Sequence, residues 1–431
     1  RTLSSESVHC VITSPPYFGL RDYGIPHVVW DGAEGCEHAW GPWQESHEER
    51  EPVIHGKSRT TDRAYGNPSR RFDGNHQKHT AGTFCGLCDA WLGSLGQEPS
   101  VDLYVGHLVQ VFREVRRVLR KEGVVWLNMG DAYAGSWKGR SDQRVSPKQA
   151  SNAGSLNLPA KLPILGLKPK DLIGLPWRVA FALQADGWWL RSDSIWAKSN
   201  PMPESVMDRP TLSHEDVFLL TRSARYFYDK EAVAEPAIQF PGEGTFREGQ
   251  PVVNNTARVA HPYVETGWRN LRSVWRIATQ PLGGHFAVFP EALVAICIKA
   301  GTSEHGCCNH CGKPWVRLVE KRPATMNIRV RDAKRGVATA EEGYKASEEE
   351  KEAYGRENMG VSRTLGFRPA CSCPKPSVVP CVVLDPFAGS GTVALVAKKL
   401  GRRSVSIDIK PEYIEMAKAR VQVDAPTLWE V

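Results

Sequence analysis

Six mostly apolar positions, Val8-His9-Cys10-Val11-Ile12-Thr13, predict a short buried strand. Ser14-Pro15-Pro16-Tyr17 stops it, because two adjacent prolines cannot continue a hydrogen-bonded ladder. From Leu103 to Leu119 the apolar residues recur as a helical stripe, with Arg113, Arg116 and Arg117 outside it. Gly123 then opens a strand over 124–128. A helix over 171–185, strands over 188–196 and 214–221, and a helix over 290–299 follow. The last part has the plainest pattern: strand 381–385, a glycine turn, helix 392–400, strand 403–408 and helix 411–421. Strands alternating with helices predict an α/β fold built on a doubly wound, mainly parallel sheet.

Between these elements lie stretches without such a pattern, and no internal repeat is present. Residues 31–99 and 303–377 are polar, poor in core residues and read as insertions; within the second, the charged run 341–357 reads as a solvated face. Residues 135–170 read as a basic loop, with Lys138, Arg140, Arg144 and Lys148 among seven cations set against Asp142 alone. Residues 236–284 have weak periodicity and spaced arginines, including Arg258, Arg269 and Arg272.

Hydrophobic residues make up 41% and charged residues 24% of the 431 positions, which is ordinary for a soluble chain of two or three domains. No apolar run approaches the ~20 residues that span a bilayer, which excludes an integral membrane protein. The start, Arg1-Thr2-Leu3, lacks both Met and an apolar signal segment, and reads as trimmed rather than secreted. A net charge of +7 permits a polyanionic partner without requiring one. Eleven cysteines, an odd number with several close pairs, favour thiolate ligands and free thiols over a disulfide framework.

In Asp385-Pro386-Phe387-Ala388-Gly389-Ser390-Gly391-Thr392 two glycines sit between a buried strand and a helix. They let the backbone approach a ligand, and the helix start adds free N–H groups. Asp408 ends the next strand, 23 positions later, the spacing of an acid that grips ribose hydroxyls. A purely structural turn capped by Asp385 is the competing reading. No Gly-Lys-Ser/Thr follows, so a phosphate loop is excluded. The string resembles the S-adenosylmethionine-binding motif of the amino-group DNA methyltransferases. That resemblance implies a Rossmann-like, seven-stranded α/β methyltransferase sheet with the turn under the methionine part of the cofactor.

Thr13-Ser14-Pro15-Pro16-Tyr17 fits the same chemistry. An exocyclic amine has its lone pair delocalised into the ring, and acceptors on its two N–H groups turn the nitrogen toward a methyl donor. The Ser14 hydroxyl and the Pro15 carbonyl are such acceptors, Pro16 stiffens the turn, and Tyr17 offers a face to a base taken out of the stack. With this turn near the N-terminus and the cofactor turn near the C-terminus, the chain resembles the circularly permuted β class of those enzymes. The resemblance implies that Phe286, Phe289 and Pro290 line the cofactor pocket. It also implies double-stranded DNA as partner, and the cytoplasm and nucleoid of a bacterial or phage-infected cell. The oligomeric state (a homodimer included) and any restriction enzyme are left open.

Serine at position 14 resembles the cytosine-N4 members somewhat more than the adenine-N6 members. A cytosine-C5 mechanism would need a nucleophilic cysteine. The one Pro-Cys pair, Pro380-Cys381, lies in the cofactor strand and reads as core. Two rivals stay open: a non-catalytic, zinc-dependent DNA-binding protein, and an enzyme using the same turn on RNA or a protein amide.

Cys85-x-x-Cys88 and Cys308-x-x-Cys311 have the spacing of zinc knuckles. Cys36-x-His38 and Cys371-x-Cys373, each in the same insertion as one knuckle, complete a Cys₃His and a Cys₄ set for two structural zinc ions. The resulting division is 1–30 and 100–229 for the core with the base-binding half, 31–99 and 303–377 for the zinc insertions, 230–284 for target recognition, 285–302 for further core, and 378–431 for the cofactor half.

Overall fold

The computed structural model describes residues 3–19, 25–45, 81–134, 167–201 apart from 169, 203–239 apart from 205, 264–280, 289–322 and 361–423. Strand β1, Val8–Thr13, is buried along its whole length, as a strand covered on both faces must be. A small antiparallel sheet follows, made of β2 (Val28–Trp30), β3 (Gln44–Glu45), β4 (Ala81–Phe84) and β5 (Trp91–Gly93). Helix α1, Val101–Val118, begins at Ser100, whose side chain accepts from the Leu103 N–H, a favourable N-cap. It buries the stripe Tyr104, Leu108, Phe112 and Val115.

Strand β6 (Leu119–Met129), helix α2 (Leu175–Ala185) and strands β7 (Trp189–Lys198) and β8 (His214–Thr221) come next. A hairpin of β9 (Glu235–Gln239) and β10 (Val264–Arg269) precedes β11 (Val274–Ile277) and helix α3 (Glu291–Gly301). Strands β12 (Cys307–Cys308) and β15 (Val378–Val379) pair with each other, as do β13 (Trp315–Arg322) and β14 (Val361–Pro369). The chain closes with β16 (Val382–Asp385), helix α4 (Thr392–Lys399), β17 (Arg403–Ser406) and helix α5 (Pro411–Val423).

The main sheet has seven strands in the order β11-β7-β8-β6-β1-β16-β17. All neighbours are parallel except β8, which runs against both β6 and β7. The doubly wound, mainly parallel reading is therefore right. Successive residues feed two cores on opposite faces, as strand alternation demands. Val11, Val125 and Leu384 join α1 and α2 on one face. Ile12, Val124, Trp126 and Val383 join α3 and α4 on the other.

Two expectations need correction. The segment 230–284 is not separate from the core, because β11 within it supplies an edge strand of the main sheet. Nor is 31–99 poor in core residues throughout: Trp91 and Glu98 are buried in it. His107 on α1 stacks between Trp30 and Trp91, and its ring nitrogens pair with Glu98 and Asp31 at 2.9 and 3.1 Å. That bridge, buried on its Glu98 side, fastens the small sheet to the core.

Candidate active site at the rim of the sheet

Strands β1 and β16 lie side by side in parallel, with Cys10 opposite Val383 and Val11 opposite Leu384. From β1 the chain crosses through α1 to β6 on one side; from β16 it crosses through α4 to β17 on the other. Both turns singled out in the sequence thus leave carboxyl ends of strands at the point where the winding reverses, where open α/β sheets bind ligands. A hydrogen bond joins them: Thr13 Oγ1 donates to Asp385 Oδ1 at 2.8 Å across 372 residues of chain.

Asp385 is buried, and burial, with a smaller contribution from the charge of Asp408, pushes its carboxyl up to about 7. The bonds from Thr13 and the Phe387 N–H oppose that rise without cancelling it. Because the folded chain holds this proton more tightly than the unfolded one, the contribution to stability is complete below about pH 4. It is lost as pH climbs through about 7. Asp385→Asn is expected to flatten the pH dependence of unfolding between those values; a denaturant series at four pH values compared with the parent chain checks it.

The glycine turn needs its glycines. Gly389 and Gly391 have φ of +48° and +76°, which favour a residue without Cβ. The Gly389 N–H donates to Asp408 Oδ2 at 2.8 Å, and the Lys410 N–H donates to Oδ1 at 2.9 Å, so Asp408 is held against the turn. Pro386 and Phe387 are half-buried, while Ala388, Ser390 and Thr392 are buried. Arg420 on α5 fastens the turn by donating to Thr392 Oγ1 at 2.8 Å. Helix α4 starts at Gly391 with no side-chain cap, so its first N–H groups are not claimed by a capping side chain. Phe289 packs half-buried against the core that α3 and α4 share, and Pro290 is the buried cap of α3. Phe286 lies outside the described residues.

The Ser-Pro-Pro-Tyr turn is braced from beneath, where Tyr104 Oη donates to the Pro16 carbonyl at 2.7 Å. Pro15 is buried, and Ser14, Pro16 and Tyr17 are half-buried. The Tyr17 hydroxyl donates to Glu215 Oε2 at 2.8 Å, and burial together with that charge raises its ionisation well above the usual range. Asn128 Nδ2 and Lys198 Nζ also donate to Glu215, at 2.7 and 2.6 Å. The sequence reading missed Glu215, Asn128 and Lys198. The available signal for Glu215 was the polar start, His214-Glu215-Asp216, of a strand whose remainder is mostly apolar.

A sequence profile described as DNA methylase, of the N6/N4 type, matches residues 8–308 and 380–419. The chain belongs to the N6/N4 DNA methylase family. Members transfer a methyl group from S-adenosylmethionine to an exocyclic amino group of DNA. The type II methyltransferase M.SmaI of Serratia marcescens is 31% identical over 97% of this chain and 86% of its own length. M.Cfr9I of Citrobacter freundii is 31% identical over 98% and 84%. M.SfiI of Streptomyces fimbriatus is 45% identical, over 33% and 30%.

Both cysteine sets of the methylase come together in space. Cys36, His38, Cys85 and Cys88 place their donor atoms within 4.8 Å of one another, as do Cys308, Cys311, Cys371 and Cys373. Cys36 Sγ lies 4.0 Å from Cys85 Sγ, and Cys88 Sγ 3.4 Å from His38 Nδ1. Sulfurs about 3.7 Å apart are what ~2.3 Å bonds to a tetrahedral zinc require, so this donor chemistry suits that ion. Arg120 and His9 donate to the carbonyls of Cys311 and Gly312, tying the second set to the main sheet. His9, Cys307 and Cys381 also converge and are buried. Both ring nitrogens of His9 are engaged, however: Nε2 donates to Gly312 and Nδ1 accepts from the Val382 N–H. That trio is a packed hydrogen-bonded group, with no nitrogen left for a metal. Cys10, Cys297, Cys307 and Cys381 are free, buried thiols.

Of the residues expected to touch DNA, Arg269 and Arg272 are described, and both donate to the same Glu235 oxygen, at 2.9 and 2.6 Å. One carboxylate shared by two guanidiniums reduces the charge they offer to phosphates. Lys138, Arg140, Arg144, Lys148 and Arg258 lie outside the described residues. No described helix is long and apolar enough to cross a membrane.

Proposed function

We propose that this methylase draws a base out of double-stranded DNA and methylates its exocyclic amine, with cytosine N4 as the target. The observation that carries the reading is the Thr13–Asp385 bond between neighbouring parallel strands, which puts the amine-orienting turn and the cofactor turn at one rim. S-adenosylmethionine supplies an electrophilic methyl group. Residues 386–392 would hold its methionine part and Asp408 its ribose, with Phe286, Phe289 and Pro290 lining the pocket. Ser14 and the Pro15 carbonyl accept from the amine, and Tyr17 stacks on the base, which returns about 1–3 kcal/mol of the extrusion cost.

Serine at position 14 favours cytosine N4; adenine N6 is the second reading. Incubation with unmodified duplex DNA and cofactor, followed by nucleoside mass spectrometry, is expected to yield N4-methylcytosine. N6-methyladenine instead would move the target, and neither product would leave the non-catalytic rival.

We further infer that each cysteine set holds a structural zinc, a closed site that adds folding energy to its insertion. Elemental analysis of purified protein should find two zinc ions per chain, one for each set. Strong chelation should lower the melting temperature, and protein that melts identically with and without the chelator would remove the structural role.

A further inference from the structure

The hydroxyl groups at the base-binding turn have no freedom in how they point, and the reason lies on β8. Glu215, half-buried, is an acceptor only. Its Oε2 receives the Tyr17 hydroxyl at 2.8 Å and Asn128 Nδ2 at 2.7 Å, and its Oε1 receives Lys198 at 2.6 Å. With its one proton committed to Glu215, the Tyr17 oxygen has two lone pairs left. Asn128 Nδ2 and Ser14 Oγ, each 3.2 Å away, donate to them. The Ser14 proton is thereby turned inward, and only lone pairs remain for whatever occupies the pocket. Room for this packing comes from Gly130, where a Cβ would stand 3.0 Å from the Tyr17 ring and 3.4 Å from the Glu215 carboxyl carbon.

We propose that Glu215, held by Lys198, is a positioning residue that fixes the direction of the Glu215–Tyr17–Ser14 hydrogen-bond chain and so makes Ser14 an obligate acceptor for the substrate amine. This rests on the amine-methylation reading above. Glu215→Gln keeps the shape but can donate to the Tyr17 oxygen. The Tyr17 proton then has to go elsewhere, and the Ser14 proton is released to point at the amine. Tyr17→Phe keeps the ring and cuts the chain at its middle.

The test is a mutant cycle read by single-turnover methylation of duplex DNA, with cofactor affinity measured separately by calorimetry. Glu215→Gln should lower the rate constant about 10–100-fold, the scale of one charge-assisted contact to a reacting group, and leave cofactor affinity unchanged. Glu215→Asp, which keeps an acceptor-only group, should recover part of the loss. In the Glu215→Gln or Tyr17→Phe background, Ser14→Ala should cost far less than in the parent chain, because Ser14 is no longer held as an acceptor. Two independent backgrounds keep the cycle usable where one variant fails to fold. Full additivity of Ser14→Ala with both, or a parental rate in Glu215→Gln, overturns the proposal while the parent still methylates DNA. A parent chain that methylates no amine removes the underlying reading instead.

Discussion

Ser14→Ala is expected to slow single-turnover methyl transfer by about 10²–10³-fold, the usual effect of deleting one preorganised group aimed at developing charge. As the amine nitrogen gives its lone pair to the methyl, its N–H bonds become more acidic, and an acceptor already in place strengthens as they do. Water in a vacated Ser14 position would first have to be ordered. The half-buried Ser14 directly follows the strand end that Thr13 locks to Asp385, so its backbone should hold after the hydroxyl is removed. Cofactor affinity should stay within about twofold, since a contact formed fully only in the transition state lowers the rate without weakening ground-state binding. Rapid-quench assays on duplex DNA with calorimetry on the cofactor measure both. A parental rate in a folded, cofactor-binding variant removes Ser14 from the chemistry.

Gly391→Val should cost about 2–4 kcal/mol of stability and weaken cofactor binding more than about tenfold. The φ of +76° alone penalises a β-branched residue. The added Cβ would also stand 2.6 Å from the Cβ and 2.9 Å from the Cα of Ala417 on α5. A backbone atom cannot swing aside as a side-chain tip can, so either α5 moves or the turn opens. Either shift disturbs Arg420, which ties α5 to Thr392. Gly401→Ala is the control. Its φ is +71°, but no atom lies within 4 Å of the new Cβ. About 1 kcal/mol of backbone strain with unchanged cofactor affinity is expected there. Thermal melts and calorimetry on both variants separate strain from collision; equal effects at the two positions would show that the contact with Ala417 contributes nothing.

Much of this was legible in the chain. Strand 214–221 matches the structure at both ends, and strand 8–13 does too. Each is a run with a sharp local boundary, prolines in one case and a polar turn in the other. Cysteine spacing named the eight residues that converge in two sets. β11 was not legible, because Val274-Trp275-Arg276-Ile277 is a four-residue edge strand whose buried member is Trp275. The stretch around Trp91 was read as an insertion, because its burial depends on the His107 ring on α1 and on pairing with Trp30 across the small sheet, contacts that no local period records. Arg269 and Arg272 were read as free cations, and their shared carboxylate, Glu235, lies more than thirty positions upstream.

The sequence by itself determined what depends on neighbours a few residues apart: helix stripes, the proline stop after β1, the glycine turn between a strand and a helix, and the paired thiols of each knuckle. These follow from steric limits on φ and ψ and from the periods of helix and strand. Only the tertiary structure decided that Thr13 meets Asp385, and that Glu215 orders the hydroxyls of Tyr17 and Ser14. Parallel strands joined by long crossovers carry no local record of their register. A buried polar group takes its partner from whatever the packed sheet brings within reach, because leaving it unpaired costs more than the bond itself returns.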